Sequence, residues 1–192
     1  MYRSIDEVVK HCKVKPLILM GGTDINPAIY GAKPLSFSDV PDYNRDVYEE
    51  NLIDKAIETK QPIIGICRGA QFVCAKAGGS LYQHSIGHNK SHGVFVKSLI
   101  DSQVYTLLEN VSADHHQVMN PDEVEHTIYG FANHETKIWK SETETELVTM
   151  VPEIVYFPKI KGLAIQPHPE WMQHNHIFNQ YLTDLVKKLF GE

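Results

Sequence analysis

The amino-acid sequence predicts an α/β fold with a mostly parallel central sheet flanked by helices, and three observations carry that expectation. Residues 61–77 hold a short apolar run, Ile63, Ile64 and Ile66, that gives way at once to a helical pattern carrying Phe72, Val73 and Ala77. Pro16-Leu17-Ile18-Leu19-Met20 and Gly162-Leu163-Ala164-Ile165 are further apolar runs of the kind a strand covered on both faces needs. Strand-like and helix-like stretches alternate through the first 80 residues, as the crossovers between parallel strands require.

Taken in chain order, Ser4 and Glu7 have the spacing of a capping box ahead of a short helix ending near His11. After the strand at 16–20, Gly21-Gly22 opens a loop rich in Pro, Asn, Asp and Gly that runs to about Tyr43. An irregular stretch of about 20 residues in a compact domain is more often functional than idle. From Asn44, read as an N-cap, a helix carries Val47, Leu52, Ile53, Ala56 and Ile57 on one face. The strand and helix around Cys67 follow, and Gly78-Gly79 stops the helix. Between about 80 and 160 the β-like runs Val94–Val96, Val124–Tyr129, Leu147–Met150 and Ile154–Phe157 predict a small antiparallel extension. After the strand at 162–165, residues of about 174–190 form a closing helix with Ile177, Tyr181, Leu185 and Leu189 in register. With no repeat, linker or low-complexity tract, residues 1–192 are read as a single domain.

Composition excludes several classes. With 42% hydrophobic and 22% charged residues the chain is ordinary globular protein. A formal charge of −6 and the lack of a Lys/Arg cluster argue against nucleic acid as a partner. No apolar run approaches the ~20 residues of a membrane span, and the first residues do not read as a signal peptide. Cys67 and Cys74, on one helix, would stand ~10 Å apart, too far for a disulfide. Free thiols without an export signal point to the cytoplasm.

Cys67, between Gly65 and Gly69 where strand turns into helix, has the G-x-C-x-G form of a nucleophile elbow. At a helix N-terminus the partial positive charge is expected to favour its thiolate. A cysteine nucleophile needs a base and something to orient that base. Gln166-Pro167-His168-Pro169-Glu170 supplies both directly after a strand. Pro169 biases His168 toward extended backbone, where residues i and i+2 project to one side, so Glu170 can hold the imidazole. Oxyanion donors are expected from the N–H of Arg68 and from Gly21-Gly22. His84, His88 and His92 recur every four residues, but Gly87 and Asn89 between them predict a loop. No Cys or carboxylate nearby completes a ligand set, so no metal is expected and the segment is read as a polar wall of the cleft. Trp139 and Trp171 are read as packing residues, with Trp171 close enough to the His168 block to border the pocket.

These blocks resemble the class I glutamine amidotransferases, in the branch of gamma-glutamyl-gamma-aminobutyrate hydrolase and related gamma-glutamyl peptidases. The likeness rests on Gly21-Gly22-Thr23-Asp24 with Pro27 and Tyr30-Gly31, on Arg45-Asp46 and Glu49, and on Gly65-Ile66-Cys67-Arg68-Gly69-Ala70-Gln71. His115-His116-Gln117 and Gln166-Pro167-His168-Pro169-Glu170 complete it, in family order from about residue 17 to 171. The resemblance implies a flavodoxin-like sheet, a Cys67–His168–Glu170 triad and an oxyanion hole from Gly22 (Gly21 as second choice) and Arg68. Gln71 would face a bound glutamyl group, and a strand carrying His115, His116 and Gln117 would hold its amino and carboxylate ends, partly through backbone atoms. The implied reaction is hydrolysis of a gamma-glutamyl amide through a thioester, with no metal or organic cofactor. One departure stands out: family members carry a strand–helix–strand portion before the glycine pair, where here 20 residues precede it. The sheet is then expected to lose an edge or to borrow one, from a second copy in a homodimer or from a partner synthetase or amide ligase. Two other readings stay open: a glutaminase subunit that delivers ammonia to such a partner, and an inactive binding module of the same fold.

Overall fold

The computed structural model describes residues 3–191. Its helices are α1 (Arg3–Val9), α2 (Tyr43–Glu58), α3 (Arg68–Ala77) and α4 (Ile177–Phe190). Its strands are β1 (Leu17–Leu19), β2 (Ile63–Ile66), β3 (Ser80–Tyr82), β4 (Ser85–Ile86), β5 (His92–Lys97), β6 (Tyr105–Val111), β7 (Val118–Asn120), β8 (Thr127–Ala132), β9 (Thr136–Trp139), β10 (Thr145–Val148), β11 (Pro152–Phe157) and β12 (Gly162–Ile165). Seven of them form the central sheet in the order β1-β2-β12-β11-β8-β5-β6. The first three pair in parallel, and every later neighbour pairs antiparallel. Following those pairings across, β1, β2, β12, β8 and β6 run one way and only β11 and β5 run the other. The chain has the α/β class read from its sequence. Where a small antiparallel extension was expected, the 80–160 region supplies four of the seven strands of the same sheet, with two smaller sheets (β10-β9-β4 and β3-β7) beside it.

Alternation along the covered strands sorts the core onto two faces. Ile63 and Ala164 pack with Ile53, Ala56, Phe72 and Val73 from α2 and α3. Ile64, Leu163 and Ile165 pack with Val8 of α1 and with Phe178, Leu182, Leu185 and Val186 of α4. All four residues of β2 and all four of β12 are buried, which explains their unbroken apolar sequences.

Several boundaries differ from expectation. Helix α2 is capped by Asp42 rather than Asn44, the Asp42 carboxylate accepting from the Arg45 N–H at 3.1 Å. Val47 is exposed, and the inward face of α2 is Asp46, Glu49, Ile53 and Ala56. Two acids turn inward there because Arg68 lies beneath the first turns of the helix. Ser4 falls inside α1 and not at its cap. The strand expected at Val124–Tyr129 forms at Thr127–Ala132. Strand β6 was not expected; as an outer strand with one neighbour, its Tyr-Thr-Leu-Leu-Glu-Asn-Val sequence is half polar. Among the described residues no helix is long and apolar enough to cross a membrane.

Candidate active site

The three parallel strands deliver their C-terminal ends to one edge of the sheet, where α/β proteins place their ligands. β1 leads into Gly21-Gly22, β2 into Cys67 and β12 into the Gln166–Glu170 block, with Cys67 on the middle strand. Cys67 has φ 51° and ψ −108°, a strained conformation for a residue with a side chain. The neighbouring glycines make that turn feasible. A Cβ on Gly65 would stand 2.2 Å from the Gly69 carbonyl oxygen, and one on Gly69 would stand 2.4 Å from that of Leu19. No other residue lets α3 begin this close to β1 and β2.

Cys67 and His168 open on a common cavity of about 360 Å³, walled also by Gly21, Gly22, Asp114 and Trp171. A Cβ on Gly21 would lie 2.9 Å from His168 Cε1 and 3.5 Å from Cys67 Cβ, so the lack of a side chain here leaves room for both. His168 Nδ1 is 2.6 Å from Glu170 Oε1. A carboxylate can only accept, so Nδ1 carries the proton and Nε2 is left as the basic nitrogen. The expected pairing of His168 with Glu170 forms, but through a 3₁₀ turn at Pro169–Trp171 and not through extended backbone. The indole of Trp171 lies flat on the His168 ring, 3.6 Å between centroids and 2° between planes. Trp171 thus does more than border the pocket: it fixes the plane of the imidazole from the side not held by Glu170.

The surroundings of Cys67 work against the expected thiolate. Burial pushes the Cys67 thiol up to about 12; the Arg68 N–H opposes this, and the carboxylates of Glu170, Asp114 and Glu153 add to it. The partial charge at the start of α3 does not offset the loss of water around a side chain only 5% exposed. Resting Cys67 is a thiol that must lose its proton during attack. Alkylation of Cys67 by iodoacetamide, followed by peptide mass mapping, is accordingly expected to accelerate about tenfold per pH unit from pH 7 to 10. A rate that levels off below pH 8 would instead reveal a preformed thiolate.

Behind the glycine pair lies an ionic network that sequence reading missed, although its residues were noted for their likeness to a family. The Arg68 guanidinium is fully buried, bonding Asp46 at 2.5 Å and also Glu49. Glu49 in turn bonds Arg45 at 2.8 Å. Arg45 donates to the carbonyls of Met20 at 2.9 Å and Gly21 at 3.1 Å. In a trans peptide the N–H points opposite to the C=O, so the grip on the Gly21 carbonyl turns the Gly22 N–H away from Arg45. A Cβ on Gly22 would meet Arg45 Nη1 at 2.2 Å, so only glycine leaves room for this clamp.

A second cavity of about 320 Å³ shares Gly22, Cys67 and Asp114 with the first and is walled by Asp24, Asp39, Gln71 and His116. The residues 115–117 form a bend, not a strand, and β7 starts at Val118. His116 presents a part-exposed imidazole 3.1 Å from Asp24 Oδ2, and its bond to Asp24 raises its pKa. The Gln117 side chain is buried and donates to Asp24 at 2.7 Å, bracing the carboxylate from behind. His115 touches this cavity, yet its ring faces inward: Nδ1 lies 2.9 Å from the Gln117 carbonyl and Nε2 3.8 Å from Glu153 Oε1. Burial pushes its imidazole down to about 3. The Gln71 amide donates to the Gln117 carbonyl at 3.3 Å. His88 and His92 are not cleft wall. They are buried against Glu153 of β11, a carboxylate 61 residues beyond His92 that no local pattern could supply.

The family model described as peptidase C26 matches residues 3–146. A provisionally named glutamine amidotransferase of Mycobacterium tuberculosis is 35% identical over 117 residues, 54% of this chain and 38% of that protein. The protein NtpR of Enterococcus hirae is 33% identical over 125 residues, 56% of this chain and 52% of the relative. The gamma-glutamyl-CDP-amidate hydrolase of Campylobacter jejuni is 40% identical over 60 residues, 31% of this chain and 26% of the relative. The matched stretches thus span about half or less of these relatives' length. Among solved structures, a provisionally assigned GMP synthase subunit of Thermoplasma acidophilum superposes with a TM-score of 0.56 at 17% identity, over 97% of this chain and 77% of that one. That likeness concerns the fold. Taken with the elbow and the order of its blocks, the match over residues 3–146 identifies the chain as a member of the peptidase C26 family of class I glutamine amidotransferase-like proteins.

Proposed function

We propose that this protein hydrolyses a gamma-glutamyl amide bond through a thioester on Cys67. The observation that carries the reading is the opening of Cys67 and the Glu170-held imidazole of His168 onto one cavity beside Gly22. His168 Nε2 takes the thiol proton as sulfur attacks the gamma carbonyl carbon, because Cys67 is protonated at rest. Charge moves to the carbonyl oxygen, where the N–H groups of Gly22 and Arg68 donate to it. The tetrahedral intermediate collapses, the C–N bond breaks, and the amine leaves with the proton from Nε2. Water, deprotonated by the same nitrogen, then releases glutamate and restores the thiol. Asp24 and Asp39 in the adjoining cavity suit the ammonium of a glutamyl group, with the amide of Gln71 and the imidazole of His116 facing its carboxylate. The gamma-glutamyl bond in the name of the Campylobacter jejuni relative supports the same bond class.

The test is glutamate release by the purified chain from glutamine and a panel of gamma-glutamyl amines and peptides, with mass mapping of a glutamyl adduct on Cys67. Turnover of a panel member with the adduct on Cys67 is the expected result. An adduct without turnover assigns the chain to ammonia delivery alongside a partner synthetase or ligase. Neither turnover nor adduct on any substrate sinks the catalytic reading and leaves a binding module.

A further inference from the structure

Outside the cleft, the described residues bury one carboxylate among imidazoles. Glu153 and His88 are fully buried, and the His92 side chain is 6% exposed. Glu153 Oε1 lies 3.0 Å from His88 Nδ1, 3.2 Å from His92 Nε2 and 3.8 Å from His115 Nε2. The far nitrogens are committed elsewhere: His88 Nε2 to the Thr136 hydroxyl at 2.7 Å, His92 Nδ1 to the Lys90 carbonyl at 3.1 Å, and His115 Nδ1 to the Gln117 carbonyl at 2.9 Å. A carbonyl only accepts, so His92 and His115 carry protons on Nδ1 and direct Nε2 at the carboxylate.

Protons alone do not satisfy this arrangement. With its Nδ1 proton given to the Gln117 carbonyl, His115 Nε2 points a lone pair toward a carboxylate oxygen. His88 Nδ1, His115 Nε2 and Glu153 Oε2 are buried without a hydrogen-bond partner among the described residues. His88 Nδ1 approaches Glu153 within 3.0 Å but out of line for a hydrogen bond. Close but misaligned donor atoms are what two ligands of one ion show, since each aims at a common centre. In a tetrahedral zinc site with bonds of ~2.0–2.1 Å, neighbouring ligand atoms stand about 3.3 Å apart. The 3.0 and 3.2 Å separations both fall slightly short of that edge. Ligand atoms of His88, His92 and Glu153 all lie within 4.8 Å of one another.

We propose that His88 Nδ1, His92 Nε2 and the Glu153 carboxylate bind a divalent transition-metal ion of the zinc class, with His115 Nε2 closing its fourth side. Imidazole and carboxylate donors suit zinc. The Thr136, Lys90 and Gln117 contacts are the outer partners that orient ligating histidines. The ion ties the 85–92 segment to β11, whose Glu153 carbonyl accepts from Gln166 N at 2.8 Å at the start of the His168 block. It also holds the 115–117 bend from behind, so its role is to brace the cleft wall. Half-buried His134 lies beside the cluster, its ring 4.8 Å from that of His88.

The experiment loads chelator-treated full chain with Zn²⁺ or Co²⁺, removes excess by gel filtration, and measures bound metal and the Co²⁺ spectrum. About one equivalent is expected, with tetrahedral d–d bands and no thiolate-to-cobalt charge-transfer band. Glu153→Gln should lose the metal, whereas Cys67→Ala and Asp39→Asn should retain it. Wild-type protein that emerges without metal overturns the proposal. So does a charge-transfer band, or loss of metal in Cys67→Ala or Asp39→Asn, because each puts the ion on the cleft residues instead. The wild-type spectrum decides the matter even if Glu153→Gln does not fold.

Discussion

Cys67→Ala and His168→Ala are each expected to remove glutamate release to the same floor, a loss on the order of 10⁶-fold in kcat, with the double variant no worse than either single. The non-additivity follows from the division of labour. A buried thiol held near pKa 12 is no nucleophile until His168 takes its proton, and the freed imidazole has nothing to deprotonate without the thiol. Glu170→Gln should cost less, about 10⁴-fold, since the imidazole persists but its tautomer is no longer enforced. Steady-state kinetics on whichever gamma-glutamyl substrate turns over, with urea denaturation to confirm folding, checks the series. Additive losses, or a single variant within tenfold of wild type, would remove Cys67 and His168 from a shared step.

The second large effect lies in stability. Arg68→Met leaves Asp46 and Glu49 buried without their guanidinium, and stranding buried charge costs about 3–5 kcal/mol. That is a fifth or more of the stability of a typical domain, at about 5–15 kcal/mol. Neutralising the stranded acids as well, in Arg68→Met/Asp46→Asn/Glu49→Gln, should recover most of the urea midpoint. Activity should not return with it, because Glu49 also holds Arg45, and Arg45 orients the Gly21–Gly22 peptide. Recovery of both together would mean that the network supports the fold alone.

The parts of the site that were legible are those whose geometry is local. The apolar run Ile63–Ile66, the flanking glycines of Cys67 and the i, i+2 spacing of His168 and Glu170 each act within a few residues, and the structure keeps them. Less legible were features set by what packs opposite. The apolar face read for α2 placed Val47 inward and left out Asp46 and Glu49, which Arg68 draws inward. The 115–117 segment is a bend where a strand was expected, with the His116 side chain facing the cleft and those of His115 and Gln117 turned behind it.

Sequence by itself determined the fold class, the sharp turn at Cys67 and the pairing of His168 with Glu170, because backbone sterics and side-chain periodicity are short-range properties of the chain. Only the tertiary structure decided the protonation of Cys67, the stacking of Trp171 and the company of His88 and His92. Desolvation depends on everything that excludes water from a group, and Glu153 reaches those histidines only after β11 is laid into the sheet.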